Sequence, residues 1–222
     1  MDTLKPSTLR SKPMRLKLSL IIFSLTLFYS CCNEDPIETA RFELADEEIS
    51  IMPYEQGELL SFTHSNGYTF DIAVEESNVR WEKLHDFCEW FCCPPTYISV
   101  QTKTAKLVST YPKLIFEITI EGNSYLHSDY KGFNITLNNK HQATILYNDE
   151  YNFETDSASN IFFYESMEIS GKNYQNVVEK HFDSHYYISD TTLLLPKSVY
   201  YNKLSGLLML KMSNDETFSL IN

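Results

Sequence analysis

Glycine is scarce in this chain, with six among 222 residues, and that scarcity removes several kinds of chemistry. A phosphate-cradling loop needs glycines close together, because only a side-chain-free backbone wraps closely around an anion. No such run is present, nor is a Gly-x-Ser-x-Gly elbow or an EF-hand loop. Basic residues are few as well, 18 lysines and arginines against 30 aspartates and glutamates. Five of those 18 and one of those 30 fall in the first 30 residues, so the remainder carries 13 against 29, a balance of −16. A surface that acidic repels a phosphate backbone and excludes nucleic acid as a partner. Also missing is a long membrane-crossing run: the apolar stretch from Leu18 to Tyr29 is about a dozen residues where a spanning helix needs ~20. Neither a repeat of 20 to 50 residues nor a low-complexity tract is present.

What is there begins with an export signal. Lys5, Arg10, Lys12, Arg15 and Lys17 precede the apolar run, and Ser30, Cys31 and Cys32 follow it, the order of a secretory signal peptide over residues 1–30. Met14 to Ser30 already forms a complete signal, so Met14 is a candidate start. Ser30 before Cys31 resembles the lipobox of bacterial lipoproteins, although Phe28 and Tyr29 stand where a Leu-Ala or Leu-Ser pair is usual. The resemblance implies lipidation of Cys31 by acyl chains, palmitate among them, and a membrane partner reached through that anchor. Each buried methylene contributes ~0.8 kcal/mol, so several chains on one residue hold stably. An ordinary cleaved signal with a free cysteine is the alternative. Glu34, Asp35 and Glu38 resemble the acidic export signal of surface lipoproteins in the Bacteroides group, and they also fit a solvated tether over residues 31–40.

Residues 41–222 read as a single β-rich domain, and 43% apolar content with 14% aromatics suffices for a core. Phe42 and Leu44 flank Glu43, and Ile49 and Ile51 flank Ser50, a period-2 pattern that predicts short half-buried strands. Between Leu59 and Val74 two alternating runs flank Ser65-Asn66-Gly67, which predicts a β-hairpin. Further strand-like runs are 98–108, 114–121, 133–137, 143–147, 161–169, 174–181, 192–195, 198–201, 207–212 and 217–221. Turn chemistry falls at Glu121-Gly122-Asn123, Asn138-Asn139, Ser170-Gly171-Lys172 and Ser213-Asn214-Asp215. The expected fold is mostly β, an antiparallel sheet forming a sandwich or open barrel. One segment departs from this. Trp81, Leu84, Cys88 and Cys92 recur at helical steps before Pro94-Pro95, which predicts a short helix or pinned loop over residues 81–92.

Several motifs together resemble uncharacterised lipoproteins of the Bacteroides type. They are Ser30-Cys31, Met52-Pro53-Tyr54 with Gly57 and the hairpin from Leu60 to Phe70, Ser170 to Val177, and Val199-Tyr200-Tyr201 with Gly206-Leu207-Leu208 ahead of Glu216 to Leu220. The likeness covers both ends of the mature chain and leaves Trp81 to Tyr111 unmatched. It implies an outer-membrane envelope location, on the surface or the periplasmic face, and a β-rich domain; its motifs are fold-level and carry no known catalytic residues, and no cofactor is expected.

The densest cluster of reactive side chains is His85, Cys88, Cys92 and Cys93. Thiolate and imidazole suit zinc, but the spacing lacks paired Cys-x-x-Cys, and adjacent Cys92 and Cys93 point apart. In an oxidising compartment a disulfide is the expected state for Cys88, Cys92 and Cys93, with free buried thiols or a metal as alternatives and Cys32 making an even set. His181 and His185 stand four apart, yet Phe182 occupies the place of the glutamate that a zinc protease requires, and on a strand the two rings lie ~13 Å apart. Surface histidines are the expected reading. Acid pairs such as Glu47-Glu48 and Glu75-Glu76 arise by chance among 30 acids. Tyr147, Tyr151, Tyr164, Tyr186, Tyr187, Tyr200 and Tyr201 are expected mostly in the core, although exposed rings stack on sugars. Asp156-Ser157-Ala158 resembles an O-glycosylation acceptor of exported Bacteroides proteins, with Ser157 as the modified residue and Asp190-Thr191-Thr192 a weaker match.

No catalytic set is visible. The expectation is therefore a lipid-anchored binding or structural module of the envelope, with a glycan or envelope protein as partner. The alternative is a hydrolase of glycans or peptides: two facing acids with raised pKa would mark the enzyme, and an aromatic-lined surface would mark the binder.

Overall fold

The computed structural model describes residues 35–85, 96–122, 131–182 and 195–221. The chain divides into two compact units, residues 1–41 with 83–98, and residues 42–82 with 99–222. In element order the described chain is β1 (Ile37–Phe42), α1 (Asp46–Ser50), β2 (Leu59–His64), β3 (Thr69–His85), β4 (Thr96–Ser109), β5 (Leu114–Glu121), β6 (Lys131–Leu137), β7 (His141–Tyr147), β8 (Ile161–Ile169), β9 (Lys172–His181), β10 (Pro196–Asn202), β11 (Gly206–Met212) and β12 (Thr217–Leu220).

Within the smaller unit, Thr39 Oγ1 donates to the Tyr97 carbonyl at 3.1 Å, and the Lys83 ammonium stands 4.6 Å from the Tyr97 ring centroid. Trp81 to His85 continue β3 as strand, so the helical steps expected from Trp81 are not realised there. A helix of that length gains few hydrogen bonds, whereas a strand already started on the ladder gains one with each added pair. Residues 86–95, with Cys88, Cys92 and Cys93, lie outside the described residues, as do Cys31, Cys32, Tyr186, Tyr187, His185 and the export signal.

The larger unit is built on one antiparallel sheet in the order β7-β6-β5-β4-β3-β2-β12-β11-β10-β9-β8. Of the two arrangements expected, this is the open barrel. The sheet curls until its ends approach: the Phe133 ring of β6 lies 4.9 Å from the Tyr201 ring of β10, and a loop bridge pairs Tyr147 with Phe153. Alternation explains the filling. Phe116, Ile118 and Ile120, then Phe133, Ile135 and Leu137, then Ala143 and Ile145 all face inward and are buried. The predicted hairpin forms between β2 and β3, with Gly67 at a φ of 98°. Ser170 and Gly171, both left-handed, close the two-residue β8–β9 turn whose twist matches the flanking strands.

Ile49 and Ile51 do not form the strand their alternation predicts. Residues 46–50 make a single helical turn, capped where Glu48 Oε2 accepts from the Ala45 N–H at 2.8 Å. The following Ile51, Met52 and Tyr54 are buried in the barrel core as a plug. Burying each such side chain contributes roughly 1.5–3 kcal/mol. The plug's backbone has no strand partner for many of its polar groups, so barrel side chains supply them. Lys103 Nζ donates to the carbonyls of Ile49 at 2.8 Å and Met52 at 2.6 Å. The Tyr201 hydroxyl donates to the Ile51 carbonyl at 2.8 Å, and the Tyr54 hydroxyl accepts from the Leu207 N–H at 2.7 Å. Burial pushes both phenols above their ordinary range and pulls the Lys103 ammonium down. Gly206 is required at this contact: its φ is 70°, and an added Cβ would collide with the Tyr54 ring and hydroxyl.

Candidate ligand-binding site

A recess of about 490 Å³ opens between the loop after β7, the β8–β9 pair and the turn after β10. Each wall has a local cause. Asn148 Oδ1 accepts from the N–H groups of Glu150 and Asn152, both at 3.0 Å, and this Asx turn presents Asn152 and Phe153. Asn202 is buried in β10, where its amide donates to the Gln175 carbonyl at 3.2 Å and its oxygen accepts from the Ser205 N–H at 2.8 Å. Those two bonds pin to β9 the turn that carries Lys203 and Leu204. Opposite, the β8–β9 ladder passes from Tyr164 and Val177 to Ser166 and Gln175 without pairing Asn176. Asn176 sits there at a φ of 54°, a left-handed conformation unusual inside a strand.

The recess is lined by the rings of Phe153 and Phe163, the amides of Asn152 and Asn176, and the Lys203 ammonium. Leu204 projects at its rim, 84% exposed, among the most exposed large apolar side chains described. Lys203 Nζ lies 5.7 Å from the Phe153 ring centroid, and burial lowers its pKa. Rings, amides and one cation suit a ligand with an apolar face and several hydroxyl or carbonyl groups.

A second, more open hollow of about 550 Å³ lies by α1, lined by Glu43, Asp46, Glu48, Lys131 and Tyr151. Its groups are largely spoken for: Lys131 pairs with Asp149 at 3.2 Å, and Glu48 Oε1 accepts from the Tyr147 hydroxyl at 3.1 Å.

A third constellation lies on the outward side of β8, β9 and β10. The Tyr164 hydroxyl donates to Glu179 Oε2 at 2.9 Å, and His181 Nε2 stands 3.3 Å from Glu179 Oε1. Burial acts to raise the Glu179 pKa, but hydrogen bonds from Tyr200 and Tyr164 and the neighbouring His181 outweigh it, so the carboxyl lies below its ordinary range. Ser198 Oγ is near the same carboxylate but outside hydrogen-bond geometry, and its complete burial denies a substrate access to it. This is a satisfied carboxylate, built for stability.

The residues singled out in sequence are dispersed. Ser157 is exposed in the turn that Asp156 caps through its contacts with Ala158 and Ser159. His181 belongs to the Glu179 group. Tyr147, Tyr200 and Tyr201 are buried, while Tyr151 and Tyr164 are half-buried. Glu75 pairs with Lys106 at 2.8 Å, and Glu48 serves the α1 cap. Sequence reasoning missed Lys203, Asn176, Phe153 and Phe163; the one available signal was an Asn-Lys-Leu-Ser turn placing an apolar residue beside a lysine. Among the described residues no group of three or more metal-ligating side chains occurs, and no helix is long and apolar enough to cross a membrane. No family model matches the chain, and neither a curated protein nor a solved structure matches it.

Proposed function

We propose that this is a lipid-anchored envelope protein that captures saccharides in the recess beside Phe153 and Phe163. The observation that carries the reading is the pairing of two aromatic side chains with the Asn152 and Asn176 amides around one recess of about 490 Å³. Rings accept the C–H face of a sugar, and amides supply both a donor and an acceptor to its hydroxyls. The basic segment, apolar run and Ser30-Cys31 support the tether, and the acids after Cys31 support an outer-membrane location. The carboxylates with a resolved shift among the described residues, Asp156, Glu179 and Asp215, all move downward. None of the three lines the recess, whose described lining residues include no Asp or Glu; a glycosidase needs two carboxyl groups at its cleft, so capture is favoured over cleavage.

Full-length protein in detergent, tested on a panel of soluble oligosaccharides by saturation-transfer NMR, should give contacts to a subset of sugars. Phe163→Ala should abolish them. A panel without a single contact would remove the saccharide reading. Intact-mass analysis of the native protein tests the tether separately: a chain starting at Cys31 with acyl mass is expected, and a retained N-terminus without it would overturn the anchor.

A further inference from the structure

Among the described residues, the buried and half-buried lysines are paired with oxygen, with one exception. Lys103 holds two plug carbonyls, Lys106 holds Glu75, Lys131 holds Asp149, Lys180 donates to the Ser159 carbonyl and Lys211 pairs with Asp215 at 3.1 Å. Lys203 is half-buried, and among the described residues no oxygen atom pairs with it. This is surprising in a chain with 30 acids and 18 bases, where a carboxylate partner was statistically easy to supply. A cation partly stripped of water and left unpaired costs free energy, so its retention at the wall of a cavity calls for an external anion.

We infer that the recess selects acidic saccharides, sugars whose ring carries a carboxylate, with the Lys203 ammonium as the anion's partner. The inference rests on the saccharide reading of the same cavity and adds the ligand's charge. The geometry places the ammonium beside the Phe153 ring, so one ligand can lay an apolar ring face on the aromatic wall while an attached carboxylate reaches Nζ. Asn152 and Asn176 remain for its hydroxyls. Selectivity follows from the surroundings. A chain with net charge −12 repels anions in general, so an acidic sugar gains at this one cation what it does not gain elsewhere on the surface. The lowered Lys203 pKa agrees, since a bound carboxylate would restore the favoured charged form.

The test is calorimetric titration of full-length protein in detergent with a hexuronate-containing trisaccharide and its neutral counterpart of equal length. Wild type should prefer the acidic sugar about tenfold, equivalent to 1.4 kcal/mol. Lys203→Met should erase that preference by weakening the acidic sugar far more than the neutral one, while Lys203→Arg keeps most of it. Higher salt should narrow the gap. Equal binding of both sugars, indifferent to Lys203→Met, would overturn the charge selectivity and leave saccharide capture standing. Binding of neither sugar, when Phe163→Ala also changes nothing, would overturn both.

Discussion

Lys103 and Lys203 are both drawn out of water by the same barrel, yet their surroundings differ completely. Around Lys103 the polar groups are paired: two plug carbonyls take the ammonium, and Tyr201 and Leu207 complete the network with Ile51 and Tyr54. Around Lys203 the neighbours are a ring, amides and open space. A satisfied buried polar group holds a fold together, and removing either partner strands the other. An unsatisfied group in a cavity contributes little to the fold and stays available to a ligand. The plug and the recess therefore divide structural from functional polarity within one unit.

Substitutions sharpen the contrast. Lys103→Met should be the most damaging, costing about 3 kcal/mol in urea unfolding because two buried carbonyls lose a charged donor; an unchanged midpoint would mean that water replaces the ammonium and the plug is not strapped. Tyr201→Phe keeps the ring against Phe133 but strands the Ile51 carbonyl, with an expected loss of about 1.5 kcal/mol by the same measurement.

Glu179 tests the outward face through pH. Its folded pKa is depressed, so its stabilisation is present in full above the unfolded value of about 4.3 and is lost as pH falls through the lower folded value. Thermal melts from pH 6 down to pH 2 should show Glu179→Gln losing less stability on acidification than wild type. Parallel acid limbs would remove Glu179 from the account.

Lys203→Met should have the smallest effect on folding, within about 0.5 kcal/mol of wild type. Destabilisation as large as that of Lys103→Met would break the comparison, since it would make the recess lysine a structural one.

Period-2 alternation located nearly all the described strands, and β5 and β8 begin and end where their apolar runs do. That works where one face of a strand is buried and the other is wet, as in β5, β6 and β7, so that burial is written into every second residue. The same rule misread Ile49 and Ile51, whose spacing fits a strand but whose backbone turns into the barrel, held by Lys103 from 51 to 54 residues away in sequence. It also offered no view of the recess. Asn152, Phe153, Phe163, Asn176 and Lys203 come from four separate places in the chain, and only Lys203, beside Leu204 in its turn, has a neighbour in sequence that marks it.

Local chemistry in the amino-acid sequence thus determines the β class, the hairpin at Gly67, the turn at Ser170-Gly171, the acidic charge and the signal-like N-terminus, because each depends on residues a few positions apart. Which sheet ends meet, which lysine is satisfied and which stands open, and where a cavity forms were decided only by the closing of the sheet. Those outcomes depend on contacts between residues 50 to 150 positions apart, such as Tyr201 with Ile51, and no local pattern encodes such a distance.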